Sequence, residues 1–127
     1  RQEVEEMIRF AFPAVLSQQT GTGMWRNVMT HPYSYLESSA TAMFIYSFSK
    51  AMKAKAIDDG LFQKSIDRAW TALSEYVGED GVFTGVAGPV WLRWQDGGYD
   101  NIEREAFYWG TGSFLLAAAE VISGARA

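Results

Sequence analysis

Residues 8–25 read IRFAFPAVLSQQTGTGMW and residues 66–83 read IDRAWTALSEYVGEDGVF. Aligned without a gap, Ile8 meets Ile66, Ala11 meets Ala69, Phe12 meets Trp70, Ala14 meets Ala72 and Val15 meets Leu73. Gly23 then meets Gly81, and Trp25 meets Phe83. The chain is built twice. Each copy runs on through a long aromatic loop into a small-residue helix start, Ser39-Ala40-Thr41-Ala42-Met43-Phe44 in the first and Trp109-Gly110-Thr111-Gly112-Ser113-Phe114 in the second. A helix–loop–helix unit cannot bury its apolar face alone, so a repeated one reads as a piece of a stacked helical array.

Four helices are expected, over about 4–19, 38–56, 61–77 and 110–123. Pro13 falls inside the first and predicts a kink or a late start. Gly124 is a stop signal after the fourth. In the third helix Phe62, Ile66, Ala69, Trp70 and Leu73 form one stripe, with Lys64, Asp67, Arg68 and Glu75 on the other side. That is a surface helix with one buried face. The first is similar, with Glu5, Glu6 and Arg9 outward. The second (ATAMFIYSFSKAM) and the fourth (SFLLAAAEVI) are apolar or small nearly all round, the pattern of enclosed helices. The order is outer, inner, outer, inner.

Helices two and three are joined by about four residues around Asp58, Asp59 and Gly60, whereas the other connections, 20–37 and 78–109, are long. With antiparallel neighbours both long loops lie at one end, above the N-termini of the inner helices. Loops of this length in a compact domain are usually functional. Helix N-termini carry unpaired N–H groups that suit an anion, so this end is where a site is expected.

The bulk properties narrow the classes. A chain of 127 residues is one domain at most. Hydrophobic content of 48% argues against disorder, and 15% aromatic residues exceed what a small helical core needs. The net charge of −4, without a Lys/Arg cluster, gives no case for nucleic acid. The absence of cysteine excludes disulfides and thiolate metal sites. No stretch approaches the roughly 20 apolar residues of a membrane span, so no membrane partner is expected. No signal peptide is read, and a start at Arg1 within an amphipathic pattern points to preceding sequence.

Three stretches resemble a known group. They are Gly23-Met24-Trp25-Arg26-Asn27-Val28, the run YLESSATAMFIYSFSK beginning at Tyr35, and Tyr108-Trp109-Gly110-Thr111-Gly112-Ser113-Phe114-Leu115-Leu116-Ala117. They resemble the unsaturated rhamnogalacturonyl and glucuronyl hydrolases, glycoside hydrolase families 105 and 88. The resemblance covers most of the chain and is poor over 85–105. It implies an all-α fold, helical hairpins of an (α/α)6 toroid with the site at the long-loop end. Residues 1–127 would be the C-terminal third, an incomplete barrel. It further implies removal of a 4,5-unsaturated uronic acid from lyase-generated oligosaccharides. An aspartate acid/base hydrates the double bond and the unstable hemiketal falls apart, with no metal or organic cofactor; a cytoplasmic location is implied too. No residue here matches the aspartate motifs, so no catalytic residue is assigned. The expected partners are an acidic oligosaccharide and the remainder of the barrel, or a self-associated copy. Inner faces of helices two and four left uncovered would favour self-association.

Candidate site residues each carry two readings. Glu37 precedes helix two, where a carboxylate is a cap and dipole feature or a ligand contact; Ser38 and Ser39 are further cap candidates. Trp25 is a wall against a sugar ring or, as the repeat favours, a plug equivalent to Phe83. Arg26 could pair with a uronate carboxylate through its planar fork. In Trp91-Leu92-Arg93-Trp94, extended alternation puts Trp91 and Arg93 on one face. With Trp94, that fits either recognition of an acidic sugar or a cation–π pair. Asp96-Gly97-Gly98 is a turn signal, and Asp100, Glu103 and Glu105 are solvated charges or paired carboxylates. Gly110-Thr111-Gly112 reads as close helix packing, since neither strand nor Lys makes it a P-loop. His31, the sole histidine, offers no metal set or triad and reads as structural or solvated.

The expectation is a segment of a glycoside hydrolase supplying pocket wall and loops. A sugar epimerase on the same fold is disfavoured by the single loop histidine. The alternative from another class is a non-catalytic carbohydrate-binding or scaffold helical domain using Trp91, Trp94 and Trp25.

Overall fold

The structure is a computed structural model and describes residues 2–89 and 98–125. It contains α1 (Gln2–Ser17), α2 (Ser38–Lys53), α3 (Asp59–Ser74) and α4 (Tyr108–Ala125). Between α3 and α4 lie β1 (Val86–Ala87), a single 3-10 turn (Gly98–Asn101) and β2 (Arg104–Glu105). The strands pair antiparallel, Val86 opposite Glu105 and Ala87 opposite Arg104. This small ladder was not expected from the sequence. Two residues per strand are too few for a period-2 pattern to register.

The fold is all-α as the sequence predicts, and its hub is α2, which packs against α3 and α4. The repeat persists in three dimensions. Phe48 of α2 is met by Phe12 from α1 at 5.1 Å and by Trp25 from the loop at 5.9 Å. The equivalent Trp70 and Phe83 meet Phe114 of α4 at 5.3 and 4.8 Å. In each copy an outer-helix ring and a loop ring close on an inner-helix phenylalanine, arrangements that add to area burial.

The repeat also extends to the backbone. Gly23 N–H donates to Thr20 C=O at 3.0 Å and Thr20 N–H to Met24 C=O at 2.9 Å. Gly81 N–H donates to Gly78 C=O and Gly78 N–H to Val82 C=O, both at 2.9 Å. Each is a three-residue reversal whose last residue has left-handed backbone, φ +99° at Gly23 and +79° at Gly81.

The short connection is defined at both ends. Lys55 N–H donates to Met52 C=O and Ala56 N–H to Ala51 C=O, each at 2.9 Å, with Lys55 at φ +57°. That is the paired closure of a Schellman motif. Asp58 then caps α3, its carboxylate accepting from Gly60 N–H at 3.0 Å.

Two expectations are corrected. The first helix starts early, at Gln2, and runs unbroken through Pro13. Proline removes one helical donor, but Pro13 is exposed, so solvent can serve the carbonyl it leaves. Gly124 lies inside α4 and does not end it. The fourth helix is uncovered, as expected of an inner helix in an incomplete barrel: only Gly110 and Ala117 are buried, and Leu115 is 61% exposed. Its partners among the described residues include α2 and, at Phe114, Trp70 and Phe83.

Where α2 meets α4, Glu120 accepts from Lys53 Nζ at 2.6 Å and lies 3.5 Å from Lys50 Nζ. The Lys53 hydrogen bond, above all, holds the Glu120 carboxyl below its ordinary pKa of 4.5. A depressed carboxyl stabilises the fold above its unfolded pKa, and this contribution is lost as pH falls through the lower folded value. Both lysines are half exposed, so the expected cost of Glu120→Gln at neutral pH is about 0.5–1 kcal/mol. Denaturant unfolding at pH 7 and pH 3 checks this: the variant's deficit at pH 7 should shrink in acid.

Candidate functional site

Both long loops meet at the N-terminal end of α2. In the first, Asn27 N–H donates to Tyr35 C=O and Glu37 N–H to Trp25 C=O, each at 2.9 Å. Residues 28–34 reverse between them, with His31 N–H on Val28 C=O and Ser34 N–H on His31 C=O. This narrow ribbon delivers Tyr35, Leu36 and Glu37 to the helix start.

Glu37 is 4% exposed and is the N-cap of α2. Its carboxylate accepts from Ser39 N–H and Oγ and from Ala40 N–H. It also accepts from Ala87 N–H in the second loop at 2.8 Å. Beside it, Ser38 Oγ donates to Thr84 C=O at 2.7 Å and Ser38 N–H to Gly85 C=O at 3.2 Å. Glu37 and Ser38 therefore fasten the two long loops to one helix end. The amide groups expected to be open to an anionic ligand at α2 are engaged by the chain's own carboxylate.

Trp25 is 1% exposed, its indole N–H donating to Val15 C=O at 2.7 Å. Of its two readings, the plug describes this placement. Arg26 is half-buried and donates through Nη1 to Ser34 C=O at 2.6 Å, bracing the ribbon. Trp91, Arg93, Trp94 and Asp96 lie outside the described residues. His31 is exposed, 6.1 Å from the Tyr33 ring. Gly110 is packed where a Cβ would clash with the Val86 methyls, far inside van der Waals contact distance, whereas a Cβ at Gly112 would meet open space. Close packing thus accounts for the first glycine of that motif and not the second.

Glu103 and Glu105 come together on the surface. The Glu105 carboxyl is raised above its ordinary value, first by a hydrogen bond with Glu103 and then by that group's negative charge. Opposite them is a pair that sequence reading missed: the Arg104 guanidinium lies 4.4 Å over the Tyr35 ring. Tyr35 is raised above its ordinary value, mainly by burial and next by the charge of Glu37. Residues so far apart in sequence give no spacing signal. The one available hint was that Tyr35 and Glu37 share a face of an extended segment.

Two grooves, each of about 630 Å³, open elsewhere. One runs between the first loop and α3, past Gly21, Thr22, Arg68 and Tyr76. The other sits at the short-connection end, among Met52, Lys53, Trp70 and Glu120. Neither is lined by Trp25, Arg26 or Glu37. No group of three or more His, Cys, Asp or Glu among the described residues is placed to hold a metal ion. No described helix is long and apolar enough to cross a membrane.

The sequence profile described as Glycosyl Hydrolase Family 88 matches residues 1–124. The unsaturated 3S-rhamnoglycuronyl hydrolase of Formosa agariphila is 25% identical over 123 residues, covering 93% of this chain and 30% of that protein. The unsaturated rhamnogalacturonyl hydrolase YesR of Bacillus subtilis is 25% identical over 120 residues, covering 94% of this chain and 33% of its own length. The chain thus spans about a third of the length of these curated relatives. A solved structure of a possible member of glycoside hydrolase family 105 from Salmonella enterica superposes with TM-score 0.90 at 20% identity, over 98% of this chain and 32% of that one. A family 88 glycosyl hydrolase from Bacteroides vulgatus gives 0.83 at 23% identity, over 97% and 36%. These structural likenesses carry the fold: the helices match part of a larger toroid.

Proposed function

Because the chain belongs to glycosyl hydrolase family 88, we propose that residues 1–127 are the C-terminal portion of an (α/α)6-barrel hydrolase that removes 4,5-unsaturated uronic acid from lyase-generated pectin or glycosaminoglycan oligosaccharides. The observation that carries the reading is the family match from residue 1 to residue 124. The curated relatives, described as unsaturated rhamnoglycuronyl and rhamnogalacturonyl hydrolases, support the substrate class. In this reaction the elements of one water, a proton on one carbon and a hydroxyl on the other, add across the sugar's double bond, and the resulting hemiketal opens and releases the next residue. This segment supplies pocket wall and loops. Glu37 and Trp25 act from behind by fixing the loops, Arg26 braces the ribbon, and Trp91, Arg93 and Trp94 are assigned to the sugar. The acid/base aspartate is assigned to sequence outside these residues.

An ultraviolet assay on the whole protein that carries this chain tests the proposal. Lyase-generated pectin and glycosaminoglycan disaccharides should lose the absorbance of the conjugated double bond. Saccharide binding with undiminished absorbance would replace the reading with that of a non-catalytic carbohydrate-binding domain.

A further inference from the structure

We propose that Arg104 is a binding residue for an oxyanion of an acidic sugar, carboxylate or sulfate ester, and that the Tyr35 ring is the plate that holds it. This rests on the reading of the chain as part of a uronyl hydrolase. The guanidinium carbon is 4.4 Å from the ring centroid. A guanidinium stacked on an aromatic face keeps its N–H donors at the edge, in the planar fork that matches an oxyanion bidentately. Arg104 is exposed and makes no ion pair with any described residue.

Four acids lie around it: Glu37 and Asp100 are close enough to act on the Tyr35 ring it covers, Glu103 and Glu105 flank it in sequence, and none of them is within ion-pair distance of the guanidinium. Alternation along an extended segment turns Glu103 and Glu105 to the side opposite Arg104, and those two carboxyls engage each other. In a chain of net charge −4, this is an exposed cation on the loop face with no ion-pair partner among the described residues.

The position of Arg104 is fixed from two directions. Its backbone pairs with Ala87 across the ladder, and Ala87 N–H is held by Glu37. Tyr35, two residues before Glu37, is fastened by Asn27 N–H. The Tyr35 hydroxyl is buried with no hydrogen-bond partner among the described residues. The ring, rather than the hydroxyl, is therefore what Tyr35 offers to Arg104.

The test uses the whole protein with Arg104→Met, which keeps an apolar stem over Tyr35 and removes charge and donors. Calorimetry would measure Kd for a lyase-generated pectin disaccharide, its carboxyl-reduced neutral form, and a sulfated glycosaminoglycan disaccharide. The expected result is Kd for an acidic saccharide weakened about tenfold or more, the scale of one lost charge-assisted hydrogen bond. Kd for the neutral form should stay within about twofold, kcat should be largely retained, and Arg104→Lys should recover part of the loss. Loss with the unsulfated disaccharide identifies the carboxylate; loss confined to the sulfated one identifies the sulfate ester. Equal weakening for acidic and neutral forms, or no weakening in either acidic arm, overturns the proposal. The two readings fail separately. Wild-type protein that binds through Arg104 without consuming the double bond refutes the hydrolase. Full turnover with KM and Kd for the acidic saccharides both indifferent to Arg104 refutes this site alone.

Discussion

Glu37→Ala should destabilise the protein by about 2–4 kcal/mol in denaturant unfolding, the sum of a lost helix cap and buried donors left unpaired. The side chain is 4% exposed and accepts from Ser39, Ala40 and Ala87 N–H groups. Alanine removes the acceptor of all three. Glu37→Gln keeps the volume but replaces one acceptor oxygen with an amide group that faces donors, so an intermediate cost of about 1–2 kcal/mol is expected. Equal stability of wild type and Glu37→Ala would mean that the carboxylate is not what ties α2 to the second loop.

The two equivalent glycines should respond unequally to alanine. Both have positive φ, +99° at Gly23 and +79° at Gly81, and an L-residue there is strained by about 1–2 kcal/mol. Gly23 carries a second constraint. A Cβ on it would lie 2.6 Å from the Arg68 carbonyl oxygen in α3, whereas at Gly81 it would meet nothing within 4 Å. Backbone cannot swing aside as a flexible side chain can, so overpacking adds about 1–3 kcal/mol. Gly23→Ala is expected to cost about 3 kcal/mol or more and Gly81→Ala about 1 kcal/mol. Matched unfolding curves for the two variants check this, and equal costs would rule out the close approach of the first turn to α3.

The helices and their order were legible because repeat and periodicity are properties of contiguous residues. Ile66, Ala69 and Leu73 declare a buried face in any context, and all three are buried. The exposure of α4 was legible only through the resemblance to a larger barrel, not from the helix itself. Leu115 and Leu116 report that the helix is apolar all round, not whether a neighbour is present. The β1–β2 ladder was missed because Val86–Ala87 and Arg104–Glu105 are each two residues long. Glu37 was readable as a cap from its place before Ser38 and Ser39. Its bond to Ala87 depends on how the second loop returns, which no local pattern encodes. The Arg104–Tyr35 pair was hidden for the same reason.

The fastening at Glu37 and Ser38 bears on how the protein opens. Local unfolding proceeds in cooperative units whose boundaries follow shared hydrogen bonds. Here the first turn of α2 and residues 84–87 hold each other: Ser38 takes the carbonyls of Thr84 and Gly85, and Glu37 takes the amide of Ala87. The second loop therefore cannot lift at this point without fraying a helix whose other residues form the core. Amide hydrogen exchange at Ala87, a residue in a long surface connection, should be slowed to the rate of Ser39 and Ala40, so that the base of the loop exchanges as though it were helix.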